Sequence, residues 1–405
     1  MLMDYAERLW RGEIGMDGLL ADGSLWGTAH EITDGVAVVV GFSNVIVFRT
    51  DEGLLLFDTG IELAAQATHQ AVRRWSKDPV RYAIYSHGHI DHVGGMAPFD
   101  AEPGPRPIVI AHEAVPSRFD RYVRTSGYNE LINRRQFGVP QLQWPREYRY
   151  PDRTVGDEST VDLGDLTFSL HHARGETDDH LWAHVPALNM VLPGDLFIWN
   201  APNCGNPQKA QRYPAEWAAA LRNMAELDAS FLVPSHGPPI TGTDRVREAL
   251  TTTASYLESL LNQTLALMNR GARLTEILHT VTVPAHLAEK PYLRPSYDEP
   301  EFIVRNIWRL YGGWWDGDPA SLKPPPATRE AQVLAELCGG PQALASRATR
   351  ALTEDEPRIA ARLAELALQA APSDENIQAV HHKVFTTLAD AATSTMARGI
   401  YRAAT

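Results

Sequence analysis

Only two cysteines, Cys204 and Cys338, occur in 405 residues. They are too few and too far apart for a disulfide framework or a thiolate zinc site, and both read as ordinary buried thiols. Positive charge is also short: 37 Lys and Arg against 50 Asp and Glu leave a net charge of -13. Such a chain lacks the basic surface that nucleic acid or an anionic membrane would require, although a local cationic pocket for a small anion is compatible with it. No stretch reaches the roughly 18 apolar residues of a membrane span. The opening residues, Met1 to Arg8, are charged and carry no apolar signal core, so the expected location is cytoplasmic. Apolar residues in general are not scarce: 44% hydrophobic content is ample for a core, and the length suits two domains better than one.

The densest chemistry lies in Ser86-His87-Gly88-His89-Ile90-Asp91-His92-Val93-Gly94-Gly95, directly after the apolar run Tyr82-Ala83-Ile84-Tyr85. Three imidazoles and a carboxylate at the end of a buried strand must each find a partner. A metal ion satisfies them together, and imidazole with carboxylate is a good donor set for zinc and related divalent ions. Alternate side chains of an extended backbone share a face, so His87 and His89 can point at one ion. Asp91 and His92 follow where the chain turns and can aim at a second point.

Short β-rich runs separated by turn residues occupy the first half. They include Val36 to Phe42, Asn44 to Phe48, Leu54 to Phe57, Pro107 to Ala111, Leu166 to Leu170, Leu181 to Val185, Met190 to Pro193 and Phe231 to Pro234. Helices are expected from Ala64 to Trp75 and from Pro214 to Leu227. This alternation predicts two packed sheets with helices outside. Residues 96–160 are less regular and hold an insert, rich in Arg, Tyr and Pro, long enough to shape a pocket or lid. After Gly242 the strands stop. Helical periodicity runs from Asp244, a candidate cap, to Arg270, then in shorter helices to the end, placing a domain boundary at 243: residues 1–243 and 244–405.

Three later strands also end on potential ligands. Gly175-Glu176-Thr177-Asp178-Asp179-His180, Pro193-Gly194-Asp195 and Pro234-Ser235-His236 bring the set to His87, His89, Asp91, His92, Glu176, Asp195 and His236. Seven ligands exceed one zinc and suit two ions with a bridging carboxylate.

The His-x-His-x-Asp-His pattern at 87–92 resembles the signature of the metallo-β-lactamase superfamily. Asp58-Thr59-Gly60 resembles the turn that precedes it there, and Gly194-Asp195 and Ser235-His236-Gly237 resemble its later motifs, in the same order. The resemblance implies an αββα sandwich, an α/β fold, with two metal ions, usually zinc. Glu176 stands where most members carry histidine, which resembles the alkylsulfatase branch. Tyr311-Gly312-Gly313-Trp314-Trp315-Asp316-Gly317-Asp318-Pro319 and Ala397-Arg398-Gly399-Ile400-Tyr401 are similar to segments of that branch's helical dimerisation domain. An all-α second half and a homodimer formed through it follow from the likeness.

The resemblance implies a hydrolase in which His87, His89 and Glu176 hold one ion, Asp91, His92 and His236 a second, and Asp195 bridges. Asp91 and Asp195 are the catalytic carboxylates, and a metal-activated water attacks a small-molecule ester. Asp58, Asp179 and His180 are expected just behind the ligands. Glu176 has an alternative, a capping or surface role that leaves the ligand position to His172 or His180. The branch's Arg-Gly sulfate-holding stretch is not kept in residues 199–212. Asn200 matches its asparagine, and Asn206, Lys209 and Arg212 are the available substitutes. A sulfate ester is therefore the leading substrate class, with lactone, thioester or phosphodiester hydrolysis, or a non-catalytic metal-binding scaffold, as the other readings. Trp314-Trp315 is expected to pack or to meet a partner subunit, and His381-His382 to be a surface pair.

Overall fold

Three apolar strands in succession, β2 (Val36–Val39), β3 (Val45–Thr50) and β4 (Gly53–Phe57), pair antiparallel across short turns, with β1 (Ala29–Thr33) antiparallel on the outer edge of β2. Parallel pairing then adds β5 (Val80–Ile84), β6 (Ile108–His112) and β7 (Arg153–Val155), giving a seven-stranded sheet in sequential order. A second sheet of six strands has the order β13-β12-β11-β10-β9-β8, from β8 (Glu158–Leu163), β9 (Leu166–His172), β10 (Leu181–Val185), β11 (Met190–Leu192), β12 (Phe231–Leu232) and β13 (Ile240–Thr241). The computed structural model describes residues 1–16 and 23–405.

The period of two along each strand explains why the runs are apolar throughout rather than alternating. Ile46, Phe48, Leu55 and Phe57 face the second sheet and pack with Phe168, Leu170, Leu181, Ala183 and Leu192. Their neighbours Val45, Val47, Leu54 and Leu56 point outward, into a layer with Val72, Phe99, Val115 and Phe119 from helices. Phe48 and Phe168 meet edge to face across the two sheets, with centroids 4.9 Å apart. Burial of each such side chain contributes about 1.5–3 kcal/mol. Helix Thr243–Asn269 packs on helix Pro214–Glu226 and on β12 and β13, completing the αββα layering.

The insert is more regular than its composition suggests. It contains helices Val115–Arg124 and Ser126–Phe137. The first buries Val115, Arg118, Phe119 and Tyr122, the i, i+3, i+4, i+7 stripe of an amphipathic helix.

The chain divides into two compact units that do not follow the boundary expected at 243. One comprises Met1–Ser126, Trp144–Arg270 and Ile277–Tyr311, and the other Gly127–Gln143, Gly271–Glu276 and Gly312–Thr405. Helices Thr243–Asn269 and Pro300–Gly312 lie within or almost within the strand-bearing unit, because their apolar faces pack there. Asp244 does not cap the longer helix. The cap position is Gly242, and Asp244 is 98% exposed in the first turn.

In the second unit, Ala331, Ala335, Ala345, Ala348, Ala360, Ala364 and Ala367 are buried between helices Ala327–Leu337, Pro341–Thr353, Pro357–Ala370 and Glu375–Ala391. Small side chains at these positions let the helix backbones approach closely. Asp374 caps the last of these, accepting from the Asn376 and Ile377 amides. Trp314 and Trp315 are both exposed. Two expectations are corrected here. His381 is buried against Glu365, at 3.0 Å, while only His382 is exposed. Cys338 is exposed, just past the last residue of a helix, whereas Cys204 is buried.

Candidate metal centre

Strand ends bring the donors together. β4 leads into Asp58, β5 into Ser86-His87, β9 to the loop with Glu176, β11 into Asp195, and β12 into Ser235-His236. The short helix Ile90–Val93 carries Asp91 and His92. It lies so close to the turn after β4 that a Cβ on Gly95 would fall 1.8 Å from the Thr59 carbonyl oxygen; only glycine fits there.

Two groups of donors form. His87, His89 and Asp195 make one, and Asp91, His92 and His236 the other. Asp195 touches both: its Oδ2 lies 3.7 Å from His87 Nε2, 3.5 Å from His92 Nε2 and 3.4 Å from His236 Nε2. Asp91 Oδ2 is 3.5 Å from both His92 Nε2 and His236 Nε2. His87 Nε2 and His89 Nδ1 are 2.8 Å apart, and Glu176 Oε1 is 3.7 Å from His89 Nδ1.

Each inward nitrogen is set by what the other ring nitrogen touches. His87 Nδ1 is 3.0 Å from Ser86 Oγ, His92 Nδ1 is 2.8 Å from Asp58 Oδ2, and His236 Nδ1 donates to the Phe42 carbonyl at 2.7 Å. Three imidazoles thus turn Nε2 toward Asp195. Asp58 is fully buried, at φ 59°, and also accepts from the Ser86 amide and the Ser86 and Ser235 hydroxyls.

The donors fit divalent ions. A tetrahedron with bonds of about 2.0–2.1 Å has edges of about 3.3–3.4 Å, close to most of these spacings. His92 Nε2 and Asp195 Oδ1 are buried without a hydrogen-bond partner, as groups reserved for a cation would be. Burial pushes His87 and His89 well below the usual imidazole range, leaving neutral ligands. Burial opposes charge on His92 and His236, but Asp195 and Asp91 outweigh it, raising His92 well above its ordinary value and His236 to about 9. The carboxylates thus draw positive charge into a buried site, the role divalent metal would fill.

Residues 38–236 match the metallo-β-lactamase superfamily, and residues 273–405 match the alkyl sulfatase dimerisation family. The strand-bearing part of the chain thus matches the metallo-β-lactamase superfamily, and the pairing with the second match makes the chain alkylsulfatase-like. A linear primary-alkylsulfatase of Pseudomonas sp. is 26% identical over 355 residues, 81% of this chain and 67% of that protein. An alkyl/aryl-sulfatase of Saccharomyces cerevisiae is 24% identical over 87% of this chain and 60% of that protein. A stereoselective inverting sec-alkylsulfatase from Pseudomonas sp. shares the fold, with a TM-score of 0.83 and 23% identity over 92% of this chain and 64% of that one. The chain therefore spans about 60–67% of the length of these relatives.

In this alkylsulfatase-like chain, Glu176 is buried, and the oxygen nearest His89 is also the one that its other partners engage. Its Oε1 accepts from Arg212 at 2.7 Å and Asn203 Nδ2 at 2.5 Å. Burial raises its pKa to about 7, with Arg212 opposing and Asp195 reinforcing the shift. His180 stacks on His87 at 4.8 Å and accepts the Asp195 amide at 3.1 Å. Asp179 accepts the Gly88 amide at 3.1 Å. His172 belongs to a separate group with His112 and Asp157. Its ring stacks on His112 at 3.8 Å and 6°, so their lone pairs run side by side rather than converge.

The expected substrate residues divide. Arg212 reaches the centre through Glu176. Lys209 lies over the Trp144 ring at 5.4 Å, and burial with the Arg212 charge lowers its pKa to about 7. Asn200 instead accepts from the Ser296 hydroxyl, and Asn206 from the Gln208 amide. No motif marks Asn203, Arg118 or Tyr297. Tyr297 sits between Ser296 and Asp298, both bonded to the 200–205 segment, and its phenol feels the charges of Glu176 and Asp91. Asp298 accepts the Gly205 amide at 2.5 Å, and Asn306 Oδ1 accepts from the Arg212 amide at 3.4 Å. Ser296, Tyr297, Asp298 and Asn306 follow the last strand by more than 50 positions, beyond the reach of local pattern.

Proposed function

We propose that this chain is a dinuclear metal hydrolase, with zinc as the expected ion, that cleaves an alkyl sulfate-type ester. The observation that carries the reading is Asp195 Oδ2, shared at 3.4–3.7 Å among His87, His92 and His236 as a bridging carboxylate would be. His87, His89 and Glu176 would hold one ion, and Asp91, His92 and His236 the other. Bound there, divalent ions lower the pKa of a shared water toward neutrality and offset charge on the ester oxygens. Asp91 and Asp195, both held ionised by the neighbouring His92, would orient that water by accepting hydrogen bonds from it. Ser86 and Asp58 keep His87 and His92 in the ligand tautomer. Arg212 Nε is a buried donor without an acceptor, and with Lys209 it offers a cationic pair to an anionic ester. The match of 273–405 to the dimerisation family supports a homodimer formed through the helical part, residues 244–405 in the sequence-based division.

Metal analysis together with a substrate panel tests this. About two ions per chain are expected, with kcat/KM highest for alkyl sulfates among sulfates, lactones, thioesters and phosphodiesters. Fewer than one ion after zinc addition, or preference for another ester class, overturns it. A monomer by light scattering at micromolar concentration removes the dimer.

A further inference from the structure

The first ion's proposed ligands come from two different sheets. His87 and His89 follow β5 of the seven-stranded sheet, whereas Glu176 lies in the loop between β9 and β10 of the other. Something must hold these loops in register to a few tenths of an ångström, because ligation tolerates little more.

We propose that Arg118 is a positioning residue that locks these two loops together and so tunes the first ion site alone; this rests on the two-ion reading above. Arg118 lies on the buried stripe of the insert helix Val115–Arg124, with its side chain 6% exposed. Its Nε donates to Asp179 Oδ2 at 2.8 Å, and its Nη2 pairs with Asp178. The same Asp179 oxygen accepts the Gly88 amide at 3.1 Å, and Gly88 is the residue between His87 and His89. A three-member relay thus runs from the insert, through the Glu176 loop, to the backbone of the histidine loop.

The packing is as tight as the hydrogen bonding. A Cβ on Gly88 would fall 2.7 Å from Arg118 Cδ and 2.9 Å from Asp179 Oδ2. Asp179 is fully buried, so its carboxylate requires the guanidinium as counter-charge. The planar fork matters too: one Arg118 nitrogen engages each of two adjacent carboxylates, which a lysine cannot reproduce. Below the relay, Arg118 lies 5.9 Å over the Tyr122 ring, and that ring is 6.5 Å from the His89 ring. No hydrogen bond or ion pair joins Arg118 to Asp91, His92 or His236 among the described residues; the relay meets the first site directly through Gly88 and the second only through His180 and the shared Asp195, so the second should respond less.

Chelator competition against the zinc-loaded full chain tests the relay. Loss of an outer partner typically lowers metal affinity about 10–100-fold. Arg118→Met is expected to weaken one ion by that factor and the other by less than about 3-fold. Arg118→Lys is expected to fall between, on the same ion. In a His236→Ala background, which spares the first site, Arg118→Met is expected to weaken the ion that remains. Equal loss of both ions, or no change in either, overturns the inference. If Arg118→Met shows no cooperative melt, Arg118→Lys decides by the same criterion, with no selective weakening overturning it. A wild-type chain that binds fewer than two ions overturns the two-ion reading instead, and is seen before any variant is compared.

Discussion

Arg212 and Glu176 form an ion pair at 2.7 Å with both side chains 3% exposed, through the same Glu176 oxygen that lies 3.7 Å from His89 Nδ1. The guanidinium therefore serves two ends. It favours the ionised form of a buried carboxylate against the pull of burial, and its buried Nε is a donor without an acceptor among the described residues.

Arg212→Met should leave Glu176 buried without its counter-charge. The expected outcome is a stability loss on the order of 3 kcal/mol and a further rise of the Glu176 pKa above about 7. Denaturant melts of the metal-free chain give the first quantity. Unchanged stability would mean that Asn203 alone satisfies the carboxylate.

Asp195→Asn and His236→Ala should differ in kind. Asp195 lies between both donor groups, so its neutral replacement should release both ions, whereas His236→Ala should release one. Metal content after dialysis against a weak chelator measures this, and activity should fall by at least about 1000-fold for Asp195→Asn.

Asp58→Asn tests the control of His92. The amide can present its NH2 group to His92 Nδ1 and so favour the tautomer with the proton on Nε2, the nitrogen that faces Asp91 and Asp195. Affinity for one ion should fall about 10–100-fold with the fold retained. Chelator competition and circular dichroism read the two quantities separately.

Lys209 sets an expected pH dependence for anion binding. Its pKa is lowered to about 7, so the ammonium is charged below that value and neutral above it. KM for an anionic ester should therefore rise as pH climbs through about 7 to 8. Lys209→Gln should have a raised KM at pH 6 and a flatter profile over the same range.

The corrections to sequence-based expectation share a cause. His381 reads as a surface residue beside His382, yet helix Glu375–Ala391 turns one imidazole inward to Glu365 and the other out. Helical periodicity after 243 suggests a separate domain, yet helix Thr243–Asn269 buries Leu250, Leu257 and Leu260 within the strand-bearing unit. Pattern gives the apolar face of a helix but not the surface that covers it.

By itself, the sequence determined the strand-rich first half, the helical second half and the order of the seven candidate donors. Those signals are local: apolar runs with a period of two or 3.6, and polar groups at strand ends that only a cation or water could satisfy. Only the tertiary structure decided how Asp195 stands among three imidazoles, that Arg212 rather than Asn206 reaches Glu176, and that Arg118 joins the loops of Gly88 and Asp179. Each of these depends on distance and direction between segments that are far apart in sequence. The packing of two sheets and an insert helix sets those distances, and no spacing along the chain encodes them.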